Sequence, residues 1–126
     1  MIVDASQLAA LSAEIGSAPA RALAAVAKVV HEGTVSGRDR AREIFRGQVR
    51  ELYLPHYADS ITAEASALVG EFGPDSGMLQ GGMGTGIEFG SANHAPIAHM
   101  GPAADELERE LPESMAEVGA EAVLIT

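Results

Sequence analysis

The sequence predicts an α+β domain in which a long N-terminal helix and a C-terminal helix pack on a small antiparallel hairpin, with a glycine-rich loop between. Three observations carry that prediction. Apolar or small residues step by three or four from Val26 to Leu52, the period of one helix face. After Pro55 the pattern changes to alternation, the period of a strand. Five glycines (81, 82, 84, 86 and 90) then separate the hairpin from a second helical pattern that begins at Ala103. At 126 residues the chain reads as a single domain: helical over 1–54, a hairpin over 55–73, a loop segment over 74–102 and a helix over 103–124.

The elements follow in order. Asp4 is placed to cap a first helix over 5–16, which Gly16 would stop. Pro19 suits the first turn of the long helix, because its missing N–H has no partner there in any case. The seam of that helix runs through Val26, Val30, Gly33, Gly37, Ala41, Phe45, Val49 and Leu52, and the helix is expected to close near Tyr53, before Pro55. Each seam glycine costs about 1 kcal/mol against alanine in a helix interior. Gly33 and Gly37 therefore mark either a bend or a place where another element comes close. Residues 60–64 and 67–72 read as two strands with a turn near Ala65 and Ser66. The terminal helix carries Pro112, which either starts or kinks its last part.

Composition narrows the chemistry. With 47% hydrophobic residues, much of it alanine, and 4% aromatic, the chain builds a close-packed core of low area per residue. Such a domain gains from oligomeric contacts. There is no cysteine, which excludes disulfides, thiolate metal sites and a cysteine nucleophile. No apolar run reaches the roughly 20 residues that span a bilayer, and no signal-peptide pattern is read at the start, so a soluble protein made in a cytoplasm is expected. The run Gly81-Gly82-Met83-Gly84-Thr85-Gly86 lacks the lysine of a phosphate loop and is followed by Glu88. His94 and His99, near Glu88, Asp75 and Asp105 in sequence, do not share a metal-binding helix face. No serine sits in a nucleophile elbow. The expectation is no cofactor, no metal, no catalytic residue and no enzymatic activity.

The net charge of −10 is unevenly spread: residues 59–126 hold twelve acids against Arg109 alone. Arg38, Arg42, Arg46 and Arg50 form a stripe on the long helix, and Glu106, Glu110, Glu113, Glu117 and Glu121 align on the terminal one if Pro112 keeps the phase. Read alone, these are two solvated faces. Read together, they are complementary surfaces that meet within or between subunits. DNA binding through the arginines is a further reading.

The middle of the chain carries a resemblance. Pro55-His56-Tyr57-Ala58-Asp59-Ser60-Ile61, Val69-Gly70-Glu71-Phe72-Gly73-Pro74-Asp75, Gln80 to Ser91 with Ile87-Glu88-Phe89-Gly90-Ser91, and His94 to Asp105 are similar in order and kind to the small head–tail connector or tail-terminator proteins of long-tailed phages, those of actinobacteria in particular. Ser91 stands where threonine is commoner, and Ala58 where a more rigid or basic residue is. The resemblance implies a structural subunit of the phage neck: a ring of about six copies that caps the tail tube and joins it to the head connector or stopper. DNA would pass through its lumen without sequence-specific binding, and the protein would reside in the virion and touch no membrane. On that reading Ile87, Glu88 and Phe89, the arginine stripe and the acidic helix face are interface candidates. The alternative is a small acidic adaptor or inhibitor that binds a basic protein partner.

Overall fold

The computed structural model describes residues 2–4, 19–50, 53–66, 68–92 and 94–124. The element order is β1 (Ile2–Asp4), α1 (Pro19–Gln48), α2 (Tyr57–Ser60), β2 (Ile61–Ser66), β3 (Val69–Pro74), a 3₁₀ turn (Gly81–Met83), α3 (Gly84–Phe89) and α4 (Met100–Leu124). The fold is α+β, as the sequence predicts. The expected helix over 5–16 lies outside the described residues.

α1 is the spine. Its seam residues Val26, Val30, Ala41 and Phe45 are buried, and it packs against the sheet on one side and antiparallel to α4 on the other. The two seam glycines do not break it, since the helix is continuous from Pro19 to Gln48. They are points of close approach. A Cβ on Gly37 would run into the Phe72 ring of β3, and one on Gly33 would lie 3.0 Å from the Leu111 side chain of α4. Beside Gly37, Thr34 is buried with its hydroxyl donating to the Val30 carbonyl at 2.6 Å, and its side chain fills the space left by Gly70.

The helix ends at Gln48, short of the expected Tyr53. Tyr53 N donates to the Arg50 carbonyl at 2.9 Å, and Leu54 takes a left-handed φ of 45°. The pyrrolidine of Pro55 disfavours a helical conformation at the residue before it, so the chain must leave the helix by this point.

The hairpin is placed two residues later than the sequence pattern put it. β2 runs to Ser66, β3 from Val69, and Ala63 stands opposite Phe72. That register turns Gly70 and Phe72 toward α1 and Val69 and Glu71 to solvent, and a slip of one residue would reverse both faces. β1 adds to the other edge of β3, giving the order β1-β3-β2, with Ile2 opposite Glu71. The sequence pattern alone does not predict this third strand.

The second half is more ordered than a loop. In the segment 74–102 the stretch from Gln80 to Gly90, expected as loop or a weak short helix, holds the 3₁₀ turn and α3. Gly77 N donates to Asp75 Oδ1 at 2.8 Å, and Gln80 Oε1 accepts from His56 N, 24 residues upstream, at 2.8 Å. α4 begins at Met100, three residues before the expected Ala103, and runs through Pro112 without interruption. Pro112 and Glu108 are both exposed, so the carbonyl that loses its donor lies on the solvent side, where water replaces it. No helix among the described residues is long and apolar enough to cross a membrane.

Candidate functional site

Where α3, α4 and the C-terminal end of α1 converge, three polar side chains form one buried chain of bonds. Tyr57 and His99 are both fully buried. The Tyr57 hydroxyl lies 2.7 Å from His99 Nε2, while His99 Nδ1 lies 2.8 Å from the Ile97 carbonyl and 2.8 Å from Glu88 Oε2. Two acceptors face Nδ1, so that nitrogen carries a proton, and Nε2 has the tyrosine hydroxyl as its partner. Phe45 completes the cluster, its ring centroid 4.7 Å from that of Tyr57 and 5.5 Å from that of His99.

Glu88 also closes the start of α4. Its Oε2 accepts from His99 N at 2.9 Å and Met100 N at 3.0 Å, and its Oε1 from Gly101 N at 2.9 Å. The first amides of a helix lack partners inside it, and a carboxylate there also meets the positive end of the helix dipole. This cap comes from another helix, eleven to thirteen residues upstream. It explains why α4 starts before Pro102.

The environment perturbs both acids. Burial pushes the Glu88 carboxyl up, but amide donation from Gly101, His99 and Met100, with the His99 ring beside it, outweighs burial and holds it below its ordinary value. Burial, helped by the negative charge of Glu88, pushes the Tyr57 hydroxyl up to about 12. A phenol whose folded value is raised contributes stability that is complete below its unfolded value near 10 and is lost as pH rises through the folded value. Unfolding followed by circular dichroism should therefore show an alkaline loss of stability between about pH 10 and 12. In Tyr57→Phe that limb should disappear, at a cost of about 1–3 kcal/mol at pH 7 because His99 Nε2 is left buried without its hydrogen-bond partner.

The interface candidates fall into different places. Ile87 is 1% exposed and belongs to the core, and Glu88, with an 11% exposed side chain, is committed to capping. Both are corrected from surface contacts to supports of the fold. Phe89, between them and the following glycine, is 76% exposed. Leu79 is 70% exposed, and Met78 and Met83 also point outward, so the glycine-rich segment presents four large apolar side chains to solvent. The alternation of such residues with glycine is the sequence signal for this surface, of which the sequence alone singles out only Phe89.

The arginine stripe is largely occupied within the chain. Arg42 donates to the Ile61 carbonyl at 2.7 and 3.0 Å and to the Asp59 carbonyl at 3.3 Å, and Arg46 pairs with Asp59 at 2.8 Å. Arg38 pairs with Asp39 at 3.0 Å, and Arg50 is exposed. The two long helices do meet, but the link between them is Arg40 Nε to Glu106 Oε2 at 2.8 Å, from an arginine outside the stripe. Glu110 and Glu113 are exposed on α4. The side chains of Glu117 and Glu121 lie outside the described residues. Among the described residues, no group of three or more histidines and carboxylates is placed to hold a metal ion.

Comparison with protein-family models, with curated proteins and with solved structures returned no match to this chain.

Proposed function

We propose that this chain is a non-catalytic structural subunit of the neck of a long-tailed phage, assembling as a ring of about six copies between tail tube and head connector. The observation that carries the reading is the division of labour around α3. The polar groups of this region, Tyr57, His99 and Glu88, are spent on holding α4, α3 and the core together, while Phe89, Leu79, Met83 and Met78 face outward from the same segment. Rigid backing behind exposed apolar side chains suits docking to other proteins. The resemblance of residues 56–107 to neck proteins supplies the kind of assembly. Charge agrees with a DNA conduit: a chain of net −10, repeated around a lumen, repels the phosphate backbone and lets DNA pass without adhering.

The outward acids of α4, Asp105, Glu108, Glu110 and Glu113, favour a second reading, an acidic adaptor for a basic protein. Light scattering separates the two. Measured across concentration, alone and with a phage tail-tube protein, the neck subunit should give a discrete species of about six copies, formed alone or on tube ends. A chain that stays monomeric with tube and connector proteins present, and instead binds a basic partner one to one, would establish the adaptor reading.

A further inference from the structure

On the ring reading above, we infer that neighbouring copies join head to tail, Phe89 of one chain seating in the groove between α1 and α4 of the next. The groove has a volume of about 180 Å³. Val29, Gly33, Leu107 and Leu111 form its floor, and Glu32 and Glu110 stand at its rim. At Gly33 the two helices lie close together, a Cβ there coming within 3.0 Å of the Leu111 side chain and 3.4 Å of Leu107.

The knob is as well defined as the groove. Phe89 ends α3, which is fixed on each side of it: Ile87 is in the core with its carbonyl accepting from Ile97 N at 2.8 Å, Glu88 caps α4, and Gly90 packs against Pro96. An aromatic ring held out from a fixed backbone loses little freedom on docking and buries a large apolar area. Charge selects a second copy as the occupant. Gln48 Nε2 donates to the Ala98 carbonyl at 3.0 Å, which brings the C-terminal end of α1, with exposed Arg50, to the same end of the molecule as Phe89. The groove offers the opposite sign. Glu110 is exposed, and the only partner of Glu32 among the described residues is the exposed Lys28 at 3.9 Å.

Knob and groove cannot meet within one chain. Gly33 and Gln48 are about 15 residues apart on a continuous helix, roughly 22 Å at 1.5 Å per residue. Complementary patches at separate places on one surface produce a heterologous contact, the kind that closes into a ring when the rotation permits.

The absence of cysteine makes the test direct. Chains carrying Ala92→Cys, an exposed turn position three residues past Phe89, are mixed with chains carrying Ser36→Cys on the groove wall and treated with a short bis-maleimide. The mixed product should dominate over both like-with-like products, and adding Phe89→Ser to the first chain should weaken assembly at least tenfold without lowering its melting temperature. Arg50→Glu should weaken assembly as well, and pairing it with Glu110→Arg in the same chain should restore part of the loss. Rings that persist in Phe89→Ser, or like-with-like products in excess, would overturn the contact and leave the ring reading standing. A wild-type chain that never self-associates, even on tube ends, would overturn both.

Discussion

Replacing Glu88 with alanine is expected to destabilise the domain by about 2–4 kcal/mol, measured by urea or thermal unfolding at pH 7. The carboxylate accepts from three backbone amides and lies against the His99 ring, with its side chain only 11% exposed. Losing a helix cap costs about 0.5–2 kcal/mol, and a hydrogen bond to a charged group is worth about 1.5–3 kcal/mol, so the sum is bounded by groups that share one acceptor. Against a total stability of about 5–15 kcal/mol this is a large fraction. Glu88→Gln should cost less at pH 7, because one carbonyl oxygen still accepts while the new amide group faces the helix N–H groups. Acid tells the two carboxyl roles apart. A carboxyl held below its ordinary value of about 4.5 contributes stability that is full above that value and is lost as pH falls through the lowered folded value. The wild type should thus approach Glu88→Gln in stability as pH drops below about 4, and parallel curves from pH 7 to pH 3 would show that the charge of Glu88 has no part in holding α4.

The sequence made the spine legible and left the joints obscure. α1 was visible because its seam of valine, alanine and phenylalanine repeats at the helical period for many turns, and local periodicity is the strongest signal a sequence carries. The meaning of Gly33 and Gly37 was half visible. Their place on the seam pointed to close approach, but which elements came near, α4 and β3, depends on tertiary packing. Glu88 was read as a surface candidate because nothing local marks a carboxylate as the cap of a helix that begins twelve residues later. The same distance hid the early start of α4 and the pairing of Tyr57 with His99, separated by 42 positions. β1 is three residues long, and its Ile2 and Val3 suit a strand, yet so short a run cannot be distinguished from a coil without its partner β3. For the arginines, spacing pointed to the right helix but not to the residue that ties it to α4, since Arg40 lies outside the stripe. Helical geometry alone could not decide that Arg42 and Arg46 turn to the start of β2 while Arg40 reaches Glu106.

Gly37→Val should destabilise by roughly 3 kcal/mol, with Gly37→Ala destabilising by about 1 kcal/mol. Two effects oppose each other at this position. A side chain in place of glycine relieves about 0.5–1 kcal/mol of backbone entropy in a helix interior. Against it stands the Phe72 ring, into which a Cβ at Gly37 would run, in a core where overpacking costs about 1–3 kcal/mol and more for bulkier groups. Phe72 cannot yield easily: it is 1% exposed, and its β3 neighbour Gly70 is itself pressed by Thr34 from the same helix. The clash term therefore wins. Gly47, on the same helix, isolates the entropy term, since it is exposed and a Cβ there meets nothing within 4 Å. Gly47→Ala should stabilise by a few tenths to about 1 kcal/mol, the opposite sign for the same substitution. The double variant Gly37→Ala with Phe72→Leu completes the test, because the smaller side chain makes room and the pair should cost clearly less than the two single changes added together. Strict additivity would mean that Gly37 and Phe72 do not press on one another, and that α1 meets the sheet in some other way.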